Sequence, residues 1–338
     1  MVLGKRCNLS TVGSTWRKVL NITIIILLVA AFISYLIRIH HERNYDFSTY
    51  LQFVLSGIAN GSIYALVALG FVTIHNVTGI INFSQGDFVM LGGMLAVTFV
   101  EQAHLPLPVA CALSVVAVTL IGALVERLAI HPARHAPIIT LIIITIGVSM
   151  AITGLALLIW GTDPYRLPAF SAGPPFSFLG AVISRQRLWI MGTTAFVLIC
   201  LYFLFERTLL GKALKACAIN RQAARLMGIS PSRMSLFSFA FSAALGAIGG
   251  VVFAPATLVN YHIGLFMGLK GFVAAVMGGL ANSAAAVVGG LLIGVLESLG
   301  VGLTTAGVKE AIAFFVLFMI LFYRPAGIFG RRETGVER

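Results

Sequence analysis

Charge is what this sequence has least of. Of its 338 residues only 10% are Asp, Glu, Lys or Arg, where a soluble globular domain carries about a quarter. Acids are scarcest, 11 against 23 Lys and Arg. With 59% hydrophobic residues and a mean hydropathy of +1.00, an ordinary soluble domain is excluded and a polytopic membrane protein is expected. The net charge of +12 does not imply nucleic acid. The basic residues fall in short segments between apolar runs, the pattern that sets membrane topology, and form no continuous basic face. Cysteines number four, Cys7, Cys111, Cys200 and Cys217, without C-x-x-C or other metal-ligand spacing, so no metal or redox chemistry is assigned to them. Absent too are a G-x-x-x-x-G-K-[ST] phosphate loop, H-E-x-x-H, G-x-S-x-G and a dinucleotide fingerprint, so the chain is not expected to hydrolyse ATP.

What is present is a succession of apolar runs with basic punctuation. A basic tail over residues 1–18 precedes an apolar run at 19–37, long for a signal-peptide core and read as a first membrane helix, its outer loop reaching residue 48. Residues 50–74 form the next run, with Gly57, Gly61 and Ala65 on one helical face, where small side chains let helices approach closely. A polar break follows over residues 75–87, carrying Asn82, Ser84, Gln85 and Asp87. Polar backbone at such a place must be satisfied inside protein or by water. It is therefore either a pathway-lining gate or a turn whose side chains cap broken helices.

Runs at 88–99 and 107–124 lead to the basic loop 131–135, assigned to the cytoplasm. After the run 138–160, a Pro- and Gly-rich stretch to residue 187 is assigned to the outside, with Trp160 and Trp189 as interfacial anchors at its ends. Further runs cover 188–205 and 234–258, the latter with Gly246 and Gly250 as another close-packing pair. Beyond Gly268 a short helix, a break around Gly278, Gly279, Asn282 and Ser283, and a second helix are expected. Glu297 in that second helix is an intramembrane carboxylate, either functional or hydrogen-bonded structurally near the interface. The last run, 312–323, precedes a basic tail. The count is about ten transmembrane or broken helices, all-α, with both termini cytoplasmic and a bacterial inner-membrane location.

One stretch does not suit a membrane. Residues 206–233 set six Lys and Arg against the single acid Glu206, between long apolar runs, and read as a cytoplasmic loop. Asn220 can cap a short helix on which Ala223, Ala224 and Met227 present a small face, and Gly228 can close it in a left-handed turn. Ser230-Pro231 restarts the chain as the next helix. A short helix with no core of its own needs a partner, so the loop is read as a docking element. Arg221 and Arg225 either meet acids on that partner or only fix topology. Because the membrane runs carry so few ionisable groups, an external source of energy is expected for any transport.

Gln222-Ala223-Ala224, three residues and Gly228 resemble the EAA-x-x-x-G loop of ABC importer permeases, with Gln for Glu. Residues 60–66 (NGSIYAL), 79–87 (GIINFSQGD), 268–273 (GLKGFV), 289–298 (GGLLIGVLES) and 324–330 (RPAGIFG) resemble the LivH-type permeases of branched-chain amino acid ABC transporters from about residue 50 to 330. Ser84-Gln85 departs from that family's Ala-His, and residues 281–283 depart from its Gly-Ser turn. The resemblance implies the ABC importer permease fold over residues 49–330, with a cytoplasmic tail at 331–338. It implies a coupling loop at Arg221, Gln222, Ala223, Ala224, Arg225 and Gly228, and a substrate pathway near Asn82, Ser84, Gln85 and Asn282. The partners implied are a LivM-like second permease, two ATPases holding ATP and Mg, a periplasmic binding protein and a hydrophobic amino acid. An importer of another small amide or organic acid, and an ATPase-independent secondary transporter, remain the alternatives.

Overall fold

The computed structural model describes residues 45–304, 309–323 and 327. The expected first helix at 19–37, the tails at 1–18 and 331–338, and most of the 324–330 motif lie outside the described residues. The described chain is all-α apart from one short hairpin, with helices α1 (Phe47–Thr78), α2 (Gln85–Glu101), α3 (Leu107–Val125), α4 (Ile138–Trp160), α5 (Arg185–Arg207), α6 (Leu209–Ile219), α7 (Arg221–Leu226), α8 (Pro231–Phe253), α9 (Ile263–Gly278), α10 (Ser283–Leu303) and α11 (Lys309–Tyr323). Six of these are long and apolar enough to cross a membrane: α1, α3 with the π-helical turn Glu126–Ile130, α4, α5, α8 and α10.

Helix α1 is the axis of the bundle. From Gly57 onward nearly every side chain is buried, against α8, α9 and α10. Lipid is as apolar as leucine, so such burial rests on packing and not on water exclusion. Glycine makes the packing close. A Cβ on Gly57 would come within 2.6 Å of Val295 Cα, and one on Gly61 within 2.8 Å of Gly290 O. The faces at Gly57/Gly61 and Gly246/Gly250 expected from spacing are thus contact faces, the second pressing on Phe88 and Val89 of α2.

Helices α3, α4 and α5 form the flank. Leu113, Val116, Leu120 and Leu124 on α3 and Ile139, Ile143, Met150 and Leu158 on α4 are exposed. These residues recur at one- or two-turn spacing, so they form stripes suited to lipid. The stretch 161–184 is not wholly irregular. It holds a hairpin of β1 (Phe176–Phe178) and β2 (Ala181–Ile183), antiparallel with Ser177 opposite Val182. Two three-residue strands leave no periodic signal in sequence.

If backbone contact is what holds α1 to α10 and α2 to α8, Gly294→Ala and Gly250→Ala must overpack atoms that cannot rotate away, each costing about 1–3 kcal/mol. Gly147→Ala meets open space. Thermal unfolding of the purified variants should show lowered midpoints for the first two and an unchanged or slightly raised one for the third.

Candidate functional site

The last turn of α1 gathers three elements. Thr78 Oγ1 donates to Ile74 O at 2.7 Å and accepts from Ile80 N at 3.3 Å, and Gly79, at φ +70°, ends the helix in the left-handed region. His75 and Asn76 therefore remain helical, and the polar break is shorter than expected, residues 79–84. Beyond it α2 begins alongside the middle of α1 and not at its end. Gln85 packs against Gly70, about 12 Å up α1 by helical rise.

The break is closed by its own side chains. Asn82 Oδ1 accepts from Ser84 N at 3.2 Å and Ser84 Oγ at 2.7 Å. Gln85 Nε2 donates to Ser242 O at 3.0 Å, and Ser242 Oγ donates back to Gln85 Oε1. Asn82, Ser84 and Gln85 are wholly buried. Asn82 and Ser84 bond to each other within the break, and Gln85 ties the start of α2 to α8; no side chain caps the first turn of α2. Asp87 lies one turn on, 1% exposed, with Oδ1 accepting from Thr153 Oγ1 at 3.2 Å.

Asn282 stands apart from these three, at the second break. Its Oδ1 accepts from Ala284 N at 3.1 Å and Ala285 N at 3.2 Å, capping α10, while Gly279, at φ +99°, ends α9. The second break is tied to α1 by Asn76 Nδ2, which donates to Ala281 O at 3.4 Å.

The third element is the loop of α6 and α7. Helix α6, not foreseen as a helix, is capped by Thr208 Oγ1, which accepts from Gly211 N at 3.0 Å, and it buries Leu214 and Cys217. Asn220 caps α7 as expected, accepting from Gln222 N at 2.9 Å and Ala223 N at 3.0 Å, and Gly228 closes it at φ +81°. Ser230 occupies the next N-cap position, but only its carbonyl, accepting from Met234 N at 3.2 Å, is used.

The face of α7 differs from the expected one. Ala224 turns inward, packed among Val77, Leu214, Cys217 and Met234, while Ala223, Leu226 and Met227 point out. A cap at residue 220 and a turn at 228 fix the rotation of so short a helix, and only the inward side meets protein. Leu226 and Met227 are 88% and 82% exposed. Arg221, although exposed, is also bonded inward. Its Nε donates to Val77 O at 2.7 Å and its Nη2 to the same oxygen, on the last turn of α1. Burial pulls the Arg221 guanidinium below its ordinary value, the nearby Cys217 opposing this, but an arginine stays charged. Gln222 and Arg225 are exposed beside the outward face.

One pair was missed in part. Glu297, expected as either a functional or a structurally hydrogen-bonded intramembrane carboxylate, accepts from Lys270 Nζ at 3.0 Å on Oε1, with the side chains 3% and 2% exposed; the lysine partner was not foreseen. Lys270 belongs to α9 and Glu297 to α10, and the ammonium lies 5.6 Å from the centre of the Tyr64 ring on α1. The signal was available: a single lysine inside an apolar run demands a partner.

Residues 53–323 match the family model described as "Branched-chain amino acid transport system / permease component". The chain is 32% identical over 298 residues to the high-affinity branched-chain amino acid transport system permease protein BraD of Pseudomonas aeruginosa, covering 84% of this chain and 97% of that one. It is 29% identical over 305 residues to the corresponding protein LivH of Salmonella typhimurium, covering 86% and 98%. Among solved structures, a chain of PsaBC from Streptococcus pneumoniae in complex with Fab gives a TM-score of 0.46 at 12% identity, covering 81% of this chain and 92% of that one.

Removing one member of the buried pair strands the other. Lys270→Met or Glu297→Leu should each destabilise the protein by roughly 3–5 kcal/mol, whereas the double change Lys270→Met with Glu297→Leu should recover most of the loss. Unfolding midpoints of the three purified variants test this directly, and additive losses would show that the pair is not coupled.

Proposed function

The chain belongs to the branched-chain amino acid transport permease family, and on that premise we propose that it is the membrane subunit of an ABC importer for branched-chain amino acids. Two separate ATPase subunits bind ATP with Mg and hydrolyse the ATP. A LivM-like second permease completes the membrane part, and a periplasmic binding protein delivers the substrate. In this reading the membrane is the bacterial inner membrane, with the 206–233 loop and both termini cytoplasmic.

The observation that carries the reading is the two-sided α7. Its outer side offers Ala223, Leu226 and Met227 without cover, beside the exposed Arg225. Its inner side is fastened to α1 by Ala224 and Arg221. A body docked on the outside would move α7 as a unit, and the first place to feel it is the Val77 turn. That turn also holds the second break through Asn76 and continues directly into the first. ATPase closure would thus bear on both breaks together.

Translocation in this scheme follows the interface between two permeases and not a channel within one. The enclosure of Asn82, Ser84 and Gln85 fits a closed state in which the first break is sealed, with Asn282 exposed at the second. Opening would require exchange of the Gln85–Ser242 bonds, a change between two packed arrangements driven from outside.

Leu226→Asp with Met227→Asp tests the docking surface without touching the inner face. Apolar anchors at an interface are each worth about 1 kcal/mol or more, so the ATPases should bind at least roughly tenfold more weakly. Uptake should fall accordingly while expression and unfolding of the chain itself stay unchanged. Normal uptake at normal expression would remove α7 as the coupling element. Ala224→Arg, by contrast, should lower the stability of the loop itself.

A further inference from the structure

At the end of α5 remote from the coupling loop lies a cavity of about 550 Å³, lined by Pro174, Pro175, Phe176, Arg185, Leu188 and Trp189 among others. Its single charge is fixed in place. Arg185 Nε donates to Pro174 O at 3.1 Å and Nη1 to Ala172 O at 3.0 Å, and the guanidinium lies flat against Gly173, where a Cβ would come within 2.6 Å of Cζ. Gly173, at φ +134°, is therefore required twice, by its backbone angle and by the arginine above it. Those bonds use Nε and Nη1, and leave the Nη2 hydrogens without an acceptor among the described residues. No acidic side chain lines the cavity.

The opposite wall is apolar and also fixed. Trp189 Nε1 donates to Ser171 Oγ at 3.1 Å, and the ring meets Phe170 edge-on with centroids 6.0 Å apart. The indole still leaves 47% of its surface open. Below it the exposed residues Phe196, Ile199 and Phe203 continue down α5 at helical spacing. The cavity thus opens onto an uncovered apolar stripe of a membrane-length helix. A cation at the head, an interfacial tryptophan at the shoulder and an apolar track below match an amphiphile with an anionic head and hydrocarbon body.

We propose that this cavity is a binding site for an anionic phospholipid, with Arg185 holding the headgroup phosphate and Trp189, Leu188 and the α5 stripe holding the glycerol and one acyl chain. A free phosphate would use the arginine and leave the apolar wall wet. The site concerns the membrane-embedded chain alone and does not depend on the identity of the transported substrate.

The test uses the full chain purified in detergent and reconstituted in nanodiscs, with tryptophan emission quenched by brominated acyl chains and Trp189→Phe identifying the Trp189 component. Brominated phosphatidylglycerol should quench that component about fivefold more effectively than brominated phosphatidylcholine, the factor that one cationic side chain near an anionic surface supplies. Arg185→Gln should abolish the preference. Arg185→Lys, which keeps charge but not the fork to Ala172 and Pro174, should retain it. Equal quenching by the two lipids in the native chain, a preference unchanged in Arg185→Gln, or a preference lost equally in Arg185→Lys would each overturn the assignment. Displacement of the lipid by millimolar inorganic phosphate alone would do so too, by identifying a free anion as the ligand.

Discussion

The contact on which the structure depends is backbone against backbone, α1 on α10 through Gly57, Gly61, Gly290 and Gly294. In hydrocarbon there is no water to expel, so two helices adhere only as well as their surfaces fit. Glycine lets the fit reach the main chain, and α1 can then be enclosed along most of its length. The same device joins α2 to α8 at Gly92 and Gly250, and α2 to α9 at Gly86 and Gly268. A core assembled this way is stiff, because no side chain lies between the helices to adjust.

Stiffness at the centre gives meaning to the attachments at the edge. The last turn of α1 carries the Arg221 clamp, the Asn76 tie to the second break and the left-handed exit into the first. Each satisfies a polar group that lipid could not. Together they tie the six-residue α7 and both breaks to the axis of the bundle. The Lys270–Glu297 pair adds a constraint at the same centre, since Tyr64 of α1, Lys270 of α9 and Glu297 of α10 meet there. A displaced α1 would carry the aromatic neighbour of a buried ion pair with it.

What sequence disclosed and what it withheld divide along physical lines. The Asn220 cap, the left-handed Gly228, the glycine faces and the broken helices were legible, because each is decided by neighbours within a few residues. Contacts between segments far apart were not. Nothing local tells Arg221 that its acceptor is Val77, 144 positions away, or that Ala224 and not Ala223 faces the bundle. Lys270 was overlooked beside Glu297 because the break between them hides their shared depth. Asn82, Ser84 and Gln85 were recognised as unusual, but a polar residue that lines a path and one that seals a break look alike in sequence. Helix α6 escaped because its apolar face is only a few residues wide.

The central claim is that this chain translocates a branched-chain amino acid only as part of an ATP-driven assembly. The most direct measurement is uptake of labelled leucine into proteoliposomes holding either the complex as purified from its native membrane or this chain alone, with its binding protein and ATP on their proper sides. The account predicts accumulation above the external concentration by the complex with ATP, and none without ATP or by the chain alone. Accumulation by the isolated chain in the absence of nucleotide would contradict it.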